Sequence, residues 1–143
     1  MAVRVRLKVR SKESGEEVET IALVNSGFET PTAQLLVPIG FARRLRLYPP
    51  PQDVRIVELG TAGGPSRMFL IPGAVEVTVL TGDKVVGPIA ADILVSPVEE
   101  EVLINDKLSE DLKLSLIAIG SGKWRFIDDP PDTVRFTEKP QYW

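Results

Sequence analysis

Apolar and charged positions alternate strictly at the start of the chain, where Val3, Val5, Leu7 and Val9 are interleaved with Arg4, Arg6, Lys8 and Arg10. A period of two places the two sets on opposite faces, so the segment predicts a strand with one buried and one wet face. Ser14-Gly15 marks a turn, and Glu17 to Val24 alternates more loosely until it becomes wholly apolar at Ile21-Ala22-Leu23-Val24. This second strand, hairpinned to the first, is expected to enter the core before stopping at Asn25-Ser26-Gly27. Gln34-Leu35-Leu36-Val37 reads as a short buried strand. Pro38 then opens a short amphipathic helix carrying Phe41 and Leu45, which the prolines of Tyr48-Pro49-Pro50-Pro51 end.

From Val54 to Leu80 the pattern is strand-like with two breaks. Gly60-Thr61-Ala62-Gly63-Gly64-Pro65 separates Val54–Leu59 from Arg67–Ile71 like the tip of a long hairpin, and Pro72-Gly73 predicts a turn into Ala74–Leu80. Thr81-Gly82-Asp83 is a further hairpin turn before strand material from Val85 to Val95. Val102-Leu103-Ile104 is a short buried run, and the spacing of Leu108 and Leu112 predicts a helix over Asp106–Leu114. Lys123–Ile127 reads as another strand, before a polar tail that begins at Asp129-Pro130-Pro131-Asp132. Many short strands, two short helices and frequent Gly/Pro turns describe an all-β barrel or sandwich. The run Leu35-Leu36-Val37 with its helix lines up with Val102-Leu103-Ile104 and its helix, a faint internal repeat that suggests one half of the barrel mirrors the other.

Composition narrows the chemistry. With 143 residues, 43% hydrophobic and 26% charged, the chain has the length of about one domain. It contains no cysteine and no histidine, which removes disulfides, thiolate and imidazole metal sites, and Ser-His-Asp or Cys-His nucleophilic catalysis. A net charge of −3 argues against whole-domain nucleic-acid binding. The cations Arg4, Arg6, Lys8 and Arg10 form a local basic face, but Glu13, Glu16, Glu17 and Glu19 follow as cross-strand partners. Glu99-Glu100-Glu101 reads as a loop facing water rather than a metal site, and no metal or cofactor is expected. No leader and no apolar run long enough for a membrane span is seen, so a cytoplasmic protein without membrane contact is expected. Asparagine occurs only at positions 25 and 105, a scarcity of heat-labile side chains that points to a thermophilic source.

Ala22-Leu23-Val24-Asn25-Ser26-Gly27-Phe28-Glu29 resembles the active-site turn of retropepsin-like aspartic proteases, in which apolar residues precede Asp-Thr/Ser-Gly. The resemblance continues in order through the strand and helix of Leu35–Leu45, a glycine-tipped hairpin like the family's flap at Leu59–Met68, and Val102-Leu103-Ile104-Asn105-Asp106-Lys107-Leu108. It implies a closed acid-protease β-barrel over residues 1–128, with a flap hairpin and one or two short helices. Residues 129–143 would be a tail that adds a strand or reaches a partner. It further implies a homodimer acting on a peptide or protein substrate. Asn25, Ser26 and Gly27 would hold the catalytic position, the Ser26 hydroxyl bracing the turn. Phe28, Glu29, Gly60, Thr61, Ala62, Gly63 and Gly64 would bind substrate, and Ile104, Asn105 and Asp106 would form the structural second element.

Two departures stand out. The family's glycine in the second element falls on Asn105, a mild change if the position needs positive φ, since asparagine tolerates it. The family's catalytic aspartate falls on Asn25. In the family two such aspartates, one from each subunit, share a proton and act as base and acid together. A carboxamide cannot do so, and the sequence as written is expected not to hydrolyse peptides. Three readings fit Asn25: an inactivating substitution introduced into a genuine protease, a natural pseudo-enzyme kept for binding, or a site that deamidates to aspartate. The first is favoured because Ser26, Gly27 and the apolar approach are intact. A non-catalytic peptide-binding module of the same fold is the alternative function, followed by a small β-barrel nucleic-acid binder.

Overall fold

The computed structural model of the chain describes residues 1–50, 54–61 and 63–143. The expected tip residue Ala62 and the third proline, Pro51, lie outside the described residues. Strands β1 (Arg4–Ser11) and β2 (Glu17–Val24) form the expected hairpin. They are followed by β3 (Gln34–Pro38), α1 (Ile39–Arg44), β4 (Arg55–Thr61), β5 (Gly64–Leu80), β6 (Val85–Ser96) and β7 (Val102–Ile104). Then come α2 (Asp106–Asp111), β8 (Leu114–Ala118), a 3-10 turn at Ile119–Ser121, β9 (Lys123–Phe126) and β10 (Arg135–Phe136).

Six strands close on themselves in the order β1-β2-β7-β3-β6-β5, with β5 returning to pair with β1. Closure leaves the ring without a free edge. The strands β2 and β7 run parallel, as do β3 and β6, and the other contacts in the ring are antiparallel. The alternation of β1 does what the pattern requires: Val3, Val5, Leu7 and Val9 are all buried in the barrel. They meet Val24, Leu35, Val37, Val77, Ile93, Val102 and Ile104 there, with Phe41 of α1, Leu45 just after it, and Leu108 and Leu112 after β7. The unbroken apolar runs of β3 and β7 are buried on both faces. Leu35, Val37, Val102 and Ile104 point into the barrel, while Leu36 and Leu103 join Leu94 and Met68 in a second apolar cluster on its outside. The two halves of the internal repeat touch directly, since β3 pairs with β7 through Leu35–Ile104 and Leu36–Leu103.

The long strand β5 belongs to two structures. Its first half pairs with β4 in a hairpin from Arg55–Leu70 to Thr61–Gly64, and its second half closes the barrel against β1. Pairing continues through Gly60–Pro65 and Thr61–Gly64, so the hairpin tip is tighter than the six-residue loop expected there. Pro72-Gly73 does not turn the chain. The strand runs on, and the pair is absorbed as a register shift against β6 between Ile71 and Val75. Proline has no N–H for the ladder, and Gly73, at φ +58°, donates its own to Asp92 Oδ1 at 2.8 Å.

The second helix is shorter than its leucine spacing predicts. It ends at Asp111 because Lys113 takes a left-handed φ of +63°, and Leu114 begins β8. Strands β8, β9 and β10 form a separate small sheet whose Leu114, Trp124 and Phe126 pack onto the barrel core. The polar tail supplies β10 and then folds back over the chain's own barrel. The Trp143 ring meets Phe41 edge-to-face at 5.0 Å, and its indole N–H donates to the buried Thr20 hydroxyl at 2.9 Å. Gln141 Oε1 accepts from Ile21 N–H at 3.1 Å.

The expected cross-strand pattern holds in register, with Lys8 opposite Glu19 and Arg10 opposite Glu17, but two of the β1 ion pairs go to other segments. Arg4 pairs with Glu101 at 2.6 Å and Arg10 with Glu76 at 3.2 Å, while Arg6 approaches Glu19 at 3.9 Å. Glu101 is thus turned inward to an arginine rather than toward water, with 13% of its side chain exposed. No helix among the described residues is long and apolar enough to cross a membrane.

Candidate functional site

The turn at Asn25 is set by its position between two strands. Val24 pairs with Ile104, and Asn25 N–H donates to the Ile104 carbonyl at 3.1 Å, extending the β2–β7 ladder by one residue. Phe28 N–H then closes the turn on the Asn25 carbonyl at 3.2 Å. Gly27 sits at φ +93°, a conformation that L side chains rarely adopt, although a Cβ there would meet nothing within 4 Å. Glycine is required by the backbone, not by crowding.

A reciprocal clamp fixes the turn to the start of α2. Gly27 N–H points at both carboxylate oxygens of Asp106, at 3.3 and 3.2 Å, and Asp106 N–H donates to the Phe28 carbonyl at 3.0 Å. Behind it lies Asn105, fully buried. Its Oδ1 caps α2 by accepting from Leu108 N–H at 2.9 Å and also accepts from Gln34 N–H at 3.0 Å, while its Nδ2 donates to Thr30 Oγ1 at 2.8 Å and to the Thr32 carbonyl at 2.9 Å. All four bonds serve structure. Its φ is −79°, so the expectation that asparagine stands here because it tolerates positive φ is wrong: the position needs a side chain that caps the helix and ties three segments together. The bracing hydroxyl expected of Ser26 is likewise corrected within the chain. Ser26 is exposed and its hydroxyl has no hydrogen-bond partner among the described residues; Asp106 supplies the brace.

The turn opens onto a groove of about 780 Å³. Asn25, Ser26, Gly27, Phe28 and Glu29 line it together with Leu59 and Gly60 of β4 and Met68 of β5, so the hairpin forms one wall. Leu36 and Leu103 contribute from the outer face of the barrel, and Thr30, Ser96, Val98 and Glu99 complete the described lining. The Asn25 carboxamide makes no hydrogen bond to another described residue. Of the other expected substrate-contacting residues, Gly64 pairs with Thr61 across the hairpin and Gly63 stands at its tip, and neither glycine is among the described lining. Ile104, Asn105 and Asp106 lie behind the turn and support it.

Sequence reasoning missed the contributions of Leu36, Met68, Leu103 and the Ser96–Glu99 turn. The doubly apolar runs of β3 and β7 carried part of the signal, because a second buried face implies something that covers it. The strongest pKa shifts lie outside the groove, around Arg135 of the small sheet. The Arg135 guanidinium and the Phe126 N–H hold the Asp129 carboxyl well below the usual carboxylate range, and Arg135 with Thr81 lowers Asp83 to about 2. Among the described residues, no group of acidic side chains is arranged to hold a metal ion. No protein-family model matches the chain, and no curated protein matches it either.

Proposed function

We propose that the chain is one half of a dimeric barrel of the retropepsin-like aspartic protease type. It receives an extended peptide in the groove beside the β4–β5 hairpin and, with Asn25 where the acid is needed, holds that peptide without cutting it. The observation that supports this reading is the place of the Asn25-Ser26-Gly27 turn: it ends a core strand, is clamped by Asp106, and faces a groove with an apolar floor and a hairpin for one wall. The unpaired backbone groups of an extended peptide can add to such a hairpin edge, and β4 pairs only with β5 among the described strands.

In a two-fold dimer the Asn25 turn meets its mate, so each subunit supplies half of the reactive centre. With aspartate at position 25 the two carboxyls share one proton. The ionised one takes a proton from water as the water oxygen attacks the peptide carbonyl, and the protonated one gives its proton to the leaving nitrogen. A carboxamide neither accepts the first proton nor donates the second, and loss of general acid–base catalysis alone is worth about 10²–10⁴-fold.

The test is a fluorogenic peptide library assayed from acid to neutral pH. The chain as it stands is expected to cleave nothing, and Asn25→Asp to cleave with an acid-to-neutral optimum. A folded, dimeric Asn25→Asp protein without activity overturns the protease lineage. Peptide affinity retained in both forms would then favour a binding module, a reading supported by Asn25 lining the groove with no side-chain partner among the described residues. Cleavage by the Asn25 form that pepstatin-like inhibitors do not touch would put the chemistry in other residues.

A further inference from the structure

Two carboxylates stand in the wall of the groove, each on a braced loop. Glu29 is flanked by Phe28, whose carbonyl accepts from Asp106 N–H at 3.0 Å, and by Thr30, whose hydroxyl accepts from Asn105 Nδ2 at 2.8 Å. Glu99 follows β6 in a turn held by the buried Ser96 hydroxyl, which accepts from Val98 N–H at 3.3 Å and Glu99 N–H at 3.1 Å. Neither carboxylate has an ion-pair or hydrogen-bond partner among the described residues, whereas Glu16, Glu76 and Glu101 each pair with an arginine. No lysine or arginine is among the described lining of the groove, whose floor is apolar at Leu36, Met68 and Leu103.

We infer that the groove selects peptides by charge: it takes an extended segment that sets an apolar side chain on the Leu36–Met68–Leu103 floor and carries a lysine or arginine close by to meet Glu29 or Glu99. The inference rests on the peptide-groove reading above and adds the class of peptide. Loops already fixed by Asn105, Asp106 and Ser96 lose little freedom when a cation arrives. A peptide with acidic residues in the same places brings like charges together, which excludes it. The attraction acts at the mouth of an open groove, so salt screens it.

Because the chain carries Asn25, affinity can be read by fluorescence anisotropy with no turnover. Two labelled peptides of equal length are compared, one with lysines flanking an apolar pair and one with glutamates there. The lysine peptide is expected to bind about three- to tenfold more tightly at low salt, as exposed ion pairs allow. The gap should shrink at high salt, and the Glu29→Gln/Glu99→Gln double variant should bring the two peptides level. Equal affinities, a preference for the glutamate peptide, binding of neither peptide, or a preference that survives both salt and the double variant overturns the inference. Its failure is separable from that of the protease reading. Cleavage by Asn25→Asp without charge preference removes this inference alone, whereas charge-selective binding by an inert Asn25→Asp protein removes the protease alone.

Discussion

One backbone N–H governs the shape of the site at the smallest scale. Gly27 is in a left-handed conformation that leaves its N–H turned away from the β2–β7 ladder, and Asp106 accepts it with both carboxylate oxygens. Hydrogen bonds to a charged acceptor contribute about 1.5–3 kcal/mol where they are shielded, and toward the lower end at an exposed turn such as this one. Asp106→Ala is therefore expected to cost roughly 1–2 kcal/mol in urea unfolding. It should also speed amide exchange at Gly27 well beyond the change at Phe28, whose N–H is bonded within the turn. Asp106→Asn, which keeps an acceptor oxygen, should restore most of the protection. Equal exchange in all three proteins would mean that the turn holds itself and needs no clamp. Asn105 carries the larger structural load, but it does so from a fully buried position and through four partners.

At the scale of elements, β5 decides how the groove is walled. Its first half is paired with β4, its second with β1, and the register shift at Ile71–Val75 separates the two. Beyond that shift β5 still pairs with β6 through Phe69–Val95, so the hairpin projects from the barrel past Phe69, where a peptide in the proposed groove would lie against it. A statine-type or other peptide ligand is expected to shift and sharpen the backbone resonances of Gly60 and Gly63. If a ligand that demonstrably binds leaves both unchanged, the hairpin is a fixed turn. Much of this arrangement was legible in the sequence. The strict alternation of Val3 to Val9 and the apolar ends of β2, β3 and β7 fixed which strands enter the core, and Asn25-Ser26-Gly27 marked the turn. What local pattern could not supply was partnership. Nothing near Leu36 or Leu103 says that Met68 from a distant hairpin covers them, and nothing near Asp106 says that its acceptor role is played to Gly27. Lys113 hid the end of α2, because left-handed φ at a lysine has no compositional sign, and Pro72-Gly73 looks the same in sequence whether it turns a strand or bulges it.

Across the whole molecule, the small sheet packs on the barrel through Leu114, Trp124 and Phe126, and Arg135 adds a charged tie to the barrel at Asp83. Arg135 donates from Nε to the buried Asp129 at 2.8 Å and from Nη1 to Asp83 at 2.8 Å, and its guanidinium lies 4.9 Å from the centre of the Phe126 ring. Both carboxyls ionise more readily in the fold than at their ordinary value of 3.8. Groups shifted in this direction stabilise the fold fully above that value, and their contribution is withdrawn as pH falls through the folded values, so the sensitive window runs from about pH 4 downward. Asp129 carries most of the effect, because Asp83 is exposed and screened. Arg135→Met should cost roughly 2–4 kcal/mol at neutral pH by leaving Asp129 without its main partner. The gap from the unmodified protein should narrow between pH 4 and pH 2 in thermal melts; a gap independent of pH would show that Arg135 acts through ring packing instead. The proposed pairing of subunits predicts a dimer in sedimentation at high micromolar concentration, and a monomer there removes it. The parallel pairing of β2 with β7 also has a kinetic side. Ala22 meets Val102 across a stretch of about eighty residues, and contacts of that range form late because the intervening loop must first be ordered. The Asn25 turn owes one of its bonds to Ile104 and its clamp to Asp106, so a chain folded only as far as its first hairpin exposes Ile21 to Val24 and has no groove at all. On the proposed function, competence to bind peptide waits for β7, the last strand of the ring.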